Sequence, residues 1–327
     1  MKKRVYSAMR PTGELHIGHY FGAIENWVKL QEQYECFFAV ADWHALTTTY
    51  DNPENIKEMR RQMVLNWLSV GLNPEKCTIF TQSHNLYTSE LYLLLGMITP
   101  VSWLERCPTY KEMIQALSGK EITNYGFLGY PVLMTADIVM YLTHYVPVGV
   151  DQIPHIEMAR EIVRRFSNLY GENIFIEPEA MLTKVPKLSG LDGRKMSKSY
   201  NNSIMLAEDF TSVEKKLKTM ITDPQRQRRT DPGNPDVCPA FEYHKVFSTD
   251  EERAYIIDGC KCASIGCVEC KKILIKHVEE FLAPIHEKRN KLESEIKDID
   301  EFLAPSQKKA NEEAAVVMER VRAAVKI

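Results

Sequence analysis

The chain has 327 residues, 44% hydrophobic and 26% charged, with a formal net charge of -3. That length buries a large core and predicts two domains, while the near-neutral charge excludes a global pull on nucleic acid; any such partner has to be held by local patches such as Lys57–Arg61 or Arg226–Arg229, which on charge alone read as solvated faces. No apolar run approaches the roughly 20 residues of a membrane span, and the start MKKRVYSAMR lacks the apolar core of a signal peptide, so a soluble cytoplasmic protein is expected.

In chain order, Arg4–Met9 reads as a first strand, broken by Arg10-Pro11-Thr12-Gly13. A helix fits Gly18–Gln31, with Tyr20, Ala23, Ile24, Trp27 and Leu30 on one face. CFFAVA (36–41) predicts a buried strand. Asn52 is the expected cap and Pro53 the opening residue of the next helix, whose apolar stripe is Ile56, Met59, Met63, Val64 and Trp67 and which ends at Gly71. CTIFTQ (77–82) and YVPVG (145–149) predict two further strands. Short apolar strands alternating with amphipathic helices imply an α/β fold, a parallel sheet wound on both faces, with ligands beyond the carboxyl ends of the strands. After about residue 205 strand signals vanish. Helices fit Ser212–Ile221, Lys271–Leu292 and Ser306–Val325, the last capped by Ser306 after Pro305, with a Pro-, Gly- and Arg-rich loop over 221–239.

Two segments carry chemistry. The first is GELHIGHY (13–20). As a zinc pair, His16 and His19 lack a third ligand at a known spacing. They also fit histidines satisfied at a helix start. The third reading is an anion site: the first helical turn after the first strand presents unpaired N–H groups and a positive dipole end, and Gly18 lets a flat purine approach the backbone. The second segment is KMSKS (195–199), flanked by Gly190, Gly193 and Asn201-Asn202 and expected to be a mobile loop. Lys195 and Lys198, three apart, can face one phosphate as point charges.

Together, HIGH at 16–19 and KMSKS at 195–199 resemble the two signatures of class I aminoacyl-tRNA synthetases. WLERCPTYKE (103–112), GYPVLMTADI (129–138) and VPVGVDQ (146–152) are similar to the bacterial tryptophanyl branch, and the likeness weakens only within about 222–270. The resemblance implies a Rossmann-like doubly wound catalytic domain (1–190), the lysine loop (191–205), a helical anticodon-recognition domain (206–292) and a C-terminal helix (293–327) packing back near the catalytic domain. It implies two steps: the carboxylate of L-tryptophan attacks the α-phosphate of Mg²⁺-ATP, then the aminoacyl group passes to the 3′ end of tRNA(Trp). Catalytic roles fall to His16, His19, Lys195 and Lys198. The nucleotide site takes in Arg10, Pro11, Thr12, Gly18, Lys111, Gly149, Val150, Asp151, Leu188, Met196, Ser197 and Ser199. A homodimer is expected.

An indole offers one N–H donor and no acceptor. Asp137 is the expected acceptor, with Met134 one turn earlier packing on the ring where the tyrosyl branch has glutamine. Val146 and Val148 are expected to form the apolar wall, Tyr6 and His44 to lie at strand ends, and Gln152 to meet the amino acid. Two departures stand out: Lys111-Glu112-Met113 lacks the second lysine of a family K-x-K, and Arg10 replaces a frequent glutamine. The rivals are a tyrosyl enzyme, a non-catalytic tRNA- or tryptophan-binding paralogue, and a small-metabolite adenylyltransferase.

Five of eight cysteines fall between 238 and 270, and in a cytoplasmic chain such clustering points to metal more than to disulfides. Cys267-x-x-Cys270 is a chelate spacing, and four thiolates suit either Zn²⁺ or a [4Fe–4S] cluster. The chain resembles the iron–sulfur subset of bacterial tryptophanyl enzymes, which implies Cys238, Cys260, Cys267 and Cys270 as ligands. The 238–260 spacing is one residue short of that pattern, so Cys262 is a rival.

Overall fold

A computed structural model of the chain describes residues 2–108, 110, 124–182, 188–196 and 200–327. The chain forms two compact units: residues 1–13, 26–183 and 296–327 make the first, and residues 14–25 and 184–295 the second.

The first unit is built on a five-stranded parallel sheet ordered β3-β2-β1-β4-β5, from β1 Arg4–Met9, β2 Glu35–Val40, β3 Thr78–Thr81, β4 Tyr145–Val148 and β5 Glu179–Leu182. The central strands are apolar on both faces because helices cover both. Phe37, Phe38 and Phe80 are buried, and Trp27 stacks on Phe38 at 4.7 Å. β5 gave no sequence signal. EAML holds no β-branched residue, and this edge strand is only partly buried.

At the other edge, the C-terminal helix Ile299–Val325 packs a small-residue stripe of Ala310, Ala314, Val317, Met318 and Val321 into the same core. Its Ser306 Oγ and Gln307 Oε1 accept the outward amides of Ile79 (2.9 Å) and Thr81 (2.9 Å). These bonds satisfy two amides of β3 on a side that has no neighbouring strand. Two helix starts differ from expectation. The cap of this helix is Asp298, in extended backbone, accepting from Asp300 N and Glu301 N; Pro305 and Ser306 lie inside the helix. Asn52 and Pro53 precede a turn, and their helix begins at Ile56. In each case a Pro suggested an opening, but the carboxylate or turn that meets the first free amides lies elsewhere.

The second unit holds the helices Phe210–Thr219, Pro239–Phe247, Asp250–Lys261 and Cys267–Glu295. Thr249 and Glu252 form a capping box at the third, and Pro284 lies within the fourth. Residues 14–25 join this unit through an aromatic cluster: Tyr20 and Phe21 meet Phe281 at 5.1 and 5.5 Å, and Phe21 meets Phe247 at 5.4 Å. The helix expected over Gly18–Gln31 starts at Ile17 and is interrupted by a π-turn over Tyr20–Ile24 before resuming at Glu25–Gln33. No helix among the described residues is long and apolar enough to cross a membrane.

Candidate active site

In the first unit a cavity of about 390 Å³ opens beyond the carboxyl ends of the strands. Tyr6, Ala8 and Arg10 reach it from alternate positions of β1 and its end, and Ala41 follows β2. Tyr130, Met134 and Asp137 line it from successive turns of one helix, Tyr130–Met140. His44 and Thr47 do so from the helix Asp42–Thr49, and Asp151, Gln152 and His155 from the segment after β4.

Asp137 is only 3% exposed, and its charge is met by protein donors. His44 Nε2 donates to Oδ2 at 2.9 Å, and Gln82 Nε2 donates to Oδ1 at 2.9 Å and Oδ2 at 2.8 Å. Gln82 is turned by its other end: its Oε1 accepts from Trp43 N (3.1 Å) and His44 N (3.3 Å), so only one amide orientation satisfies every partner. A carboxylate has about four acceptor directions. His44 and Gln82 use part of this capacity, leaving room for an N–H donor from the cavity. Tyr6 contributes its ring; its hydroxyl is buried without a hydrogen-bond partner.

Val146 and Val148 sit on β4 against the core and do not line this cavity. Gly149, Pro11 and Thr12 do not line it either, and Val150 is exposed. A Cβ at Gly149 would stand 2.6 Å from Asp151 Oδ1. Sequence reasoning missed Gln82, Tyr130 and His155. The signal for Gln82 was its place directly after β3, at the ligand-binding end of the sheet.

In the second unit, His16 and His19 cap one helical turn reciprocally. His16 Nδ1 accepts His19 N (3.3 Å), His19 Nδ1 accepts His16 N (3.1 Å), and the rings stack at 3.6 Å. With each Nδ1 an acceptor, each neutral ring carries its proton on Nε2, a donor suited to anionic oxygen. Of the three sequence readings, these bonds describe the histidines satisfied at a helix start. Gly18 is required by its own surroundings: a Cβ there would stand 2.9 Å from His16 Nδ1 and 3.0 Å from Met196 Sδ.

The same contact brings the two signature segments together. Ile17 N donates to Ile204 O (3.0 Å) and Leu206 N to Leu15 O (2.8 Å). Around Lys195 the chain doubles back through a Ser189–Lys195 bridge, with Gly193 in the left-handed region at φ 76°. Buried Asn202 donates to Lys195 O (3.1 Å) and Asp192 Oδ1 (2.7 Å). Asn202, then Arg194, hold the Asp192 carboxyl down at about 2. Lys195 itself is exposed and Leu188 half-buried. Lys111, Ser197, Lys198, Ser199 and the departure at Met113 lie outside the described residues.

A family profile described as tRNA synthetases class I (W and Y) matches residues 1–283. The chain belongs to this synthetase family. It is 52% identical to the tryptophan–tRNA ligase of Thermotoga maritima over 99% of each chain, and 45% identical to that of Aquifex aeolicus over 99% of this chain and 100% of the other. The tryptophanyl-tRNA synthetase of Campylobacter jejuni, solved with ADP and tryptophan, superposes with a TM-score of 0.90 at 33% identity, covering 99% of this chain and all of the other. A tyrosyl-tRNA synthetase from Archaeoglobus fulgidus shares the fold at 22% identity, with a TM-score of 0.66 over 88% of this chain and 90% of that one.

The four cysteines expected as ligands, Cys238, Cys260, Cys267 and Cys270, lie in the second unit of the synthetase. Among the described residues no group of three or more His, Cys, Asp or Glu side chains is arranged to hold a metal ion. Two of the four sulfurs meet protein partners: Cys270 Sγ lies 3.2 Å from His244 Nε2, and Arg226 Nη1 reaches Cys260 Sγ at 3.8 Å. The four thiols still sense one another. Burial pushes Cys270 up to about 12, reinforced by Cys238, Cys267 and Cys260. Cys262 is apart from this set: it is exposed, and hydrogen bonding with Ser264 holds its thiol below the usual range.

Proposed function

We infer that the chain is a tryptophan–tRNA ligase: it activates L-tryptophan with ATP to tryptophanyl-adenylate and transfers the aminoacyl group to the 3′ end of tRNA(Trp). The observation that carries this reading is Asp137, buried at the cavity wall, braced by His44 and Gln82, with an acceptor direction left and Met134 beside it. An indole N–H fills that direction; a ligand lacking the donor leaves a buried carboxylate under-satisfied, a discrimination worth about 10⁴-fold.

In this reading the carboxylate of tryptophan attacks the α-phosphate of Mg²⁺-ATP and pyrophosphate leaves. Phosphoryl chemistry of this kind rests on positioning and charge neutralisation. His16 and His19 donate their Nε2–H to phosphate oxygens, and Lys195 and Lys198 neutralise the departing pyrophosphate. Asp151 and Gln152 receive the amino-acid and ribose groups, with Arg10 near the nucleotide. The family's homodimer, the anticodon role of the helical residues 206–292 and a cytoplasmic location complete the proposal. ATP–pyrophosphate exchange with each amino acid, followed by tRNA charging, tests it: tryptophan alone is expected to drive exchange, and exchange driven by tyrosine overturns it.

We keep a [4Fe–4S] cluster as a proposal for Cys238, Cys260, Cys267 and Cys270. The mutual influence of their thiols and the Cys267-x-x-Cys270 spacing support it. Protein purified without oxygen is expected to carry about four irons and sulfides per chain. Stoichiometric zinc reverses the metal, and neither metal removes the site.

A further inference from the structure

Two buried side chains, neither of them lining the cavity, staple the helix Asp42–Thr49 to the turn that follows β3. The helix carries His44 and Thr47, and the turn Gln82–His84 carries Gln82. Asp42 reaches across to the turn: its Oδ1 accepts Ser83 N at 3.0 Å and its Oδ2 accepts Ser83 Oγ at 2.5 Å. Gln82 reaches back, its Oε1 accepting Trp43 N and His44 N from the start of the helix. Asp42 and Gln82 are both buried.

The two arms are unequal. Asp42 offers a charged acceptor, so its bonds to Ser83 are the stronger pair, whereas those of the Gln82 carbonyl are neutral. The charge faces Arg60, whose Nη1 lies 3.8 Å from Asp42 Oδ2 and whose Nη2 lies 2.7 Å from Asp300 Oδ2 at the start of the final helix. A slip between helix and turn is therefore resisted mainly from the Asp42 side. The consequence falls on Asp137. Gln82 Nε2 sits in the fork of that carboxylate, 2.9 and 2.8 Å from its oxygens, while His44 Nε2 meets Oδ2 from the helix. A donor to a carboxylate is best placed near its plane. The tilt of the fork, held by Gln82 and His44, decides whether an N–H arriving from the cavity meets a lone pair or misses it.

We propose that Asp42 is a positioning residue for amino-acid selection: it locks the Gln82–His84 turn to the start of the helix Asp42–Thr49, and through Gln82 it sets the plane in which Asp137 meets an indole N–H. This rests on the tryptophan reading above. Asp42 touches no substrate; it acts through Gln82.

Titration calorimetry with L-tryptophan and β-(3-benzothienyl)-L-alanine, in which sulfur replaces the indole N–H, tests the role. Asp42→Ala is expected to weaken tryptophan about 10-fold and to leave the sulfur analogue nearly unchanged, so the preference for the N–H shrinks by the same factor. Asp42→Asn, which can still accept from Ser83, restores most of that preference. Ser83→Ala cuts one arm, lowers the preference about 3-fold, and decides the matter should Asp42→Ala fail to fold. In a Gln82→Ala background Asp42→Ala changes the preference no further. Equal losses for both ligands, an Asp42→Asn variant no better than Asp42→Ala, or a loss that adds to that of Gln82→Ala overturns the role. Wild type that binds the two ligands alike, or fails to bind tryptophan, sinks the indole reading of Asp137 itself. A wild-type preference left intact in the Asp42 and Ser83 variants sinks only the role of Asp42.

Discussion

The cavity of the first unit and the histidine–lysine segments of the second are built by opposite means. Around Asp137 side chains hold side chains: Gln82 is fixed by two backbone amides and then fixes a carboxylate, which also takes His44. Around His16 and Lys195 the backbone does the holding, through reciprocal histidine caps, the Ile17–Ile204 and Leu15–Leu206 bonds, and Asn202 on Lys195 O. The first construction fixes a shape and a polarity before any ligand arrives, which suits selection. The second fixes where the main chain runs and leaves the cationic end of Lys195 exposed, which suits contacts that form as charge moves.

If that contrast holds, changes in the two regions separate in their kinetics. Asp137→Ala has the largest expected effect: kcat/KM for tryptophan in pyrophosphate exchange falls by about 10³-fold, because the indole loses its acceptor and Gln82 and His44 lose theirs. Next, Lys195→Ala lowers kcat for adenylate formation by about 10²-fold with little change in KM for tryptophan. Equal, small changes in both parameters remove the contrast. Gly18→Ala places a methyl against His16 Nδ1 and Met196 Sδ and is expected to lower kcat about 10-fold, again with KM for tryptophan nearly unchanged. The smallest effect is in the cavity. Tyr6→Phe removes a buried hydroxyl that lacks a partner and raises stability by up to about 1 kcal/mol, read as a higher urea midpoint with unchanged tryptophan affinity.

The same contrast explains what the sequence disclosed. His16, His19 and Lys195 stand in compact motifs whose spacing carries their chemistry, and Asp137 and Met134 share one helix face at a readable interval. The sheet's central strands were legible because burial on both faces makes them continuously apolar. Gln82, Tyr130 and His155 were not, because each meets a partner well removed along the chain: Gln82 and Asp137 are 55 positions apart, and Tyr130 and His155 are 25. β5 escaped for a related reason, being a short, half-covered edge without β-branched residues. The cysteines show the reverse. Their spacing is readable as a chelate, but the contacts of Cys270 with His244 and of Cys260 with Arg226 are ones that no ligand spacing could foretell.

The two side-chain acceptors that Ser306 and Gln307 offer to β3 have a consequence for assembly. A parallel sheet that ended at β3 with bare amides would be a template for any extended peptide that drifted alongside. The final helix therefore works as a gasket. Shorten the chain ahead of it and the damage goes beyond lost core: the sheet acquires a sticky border, and the truncated protein becomes prone to stacking strand on strand into insoluble aggregates.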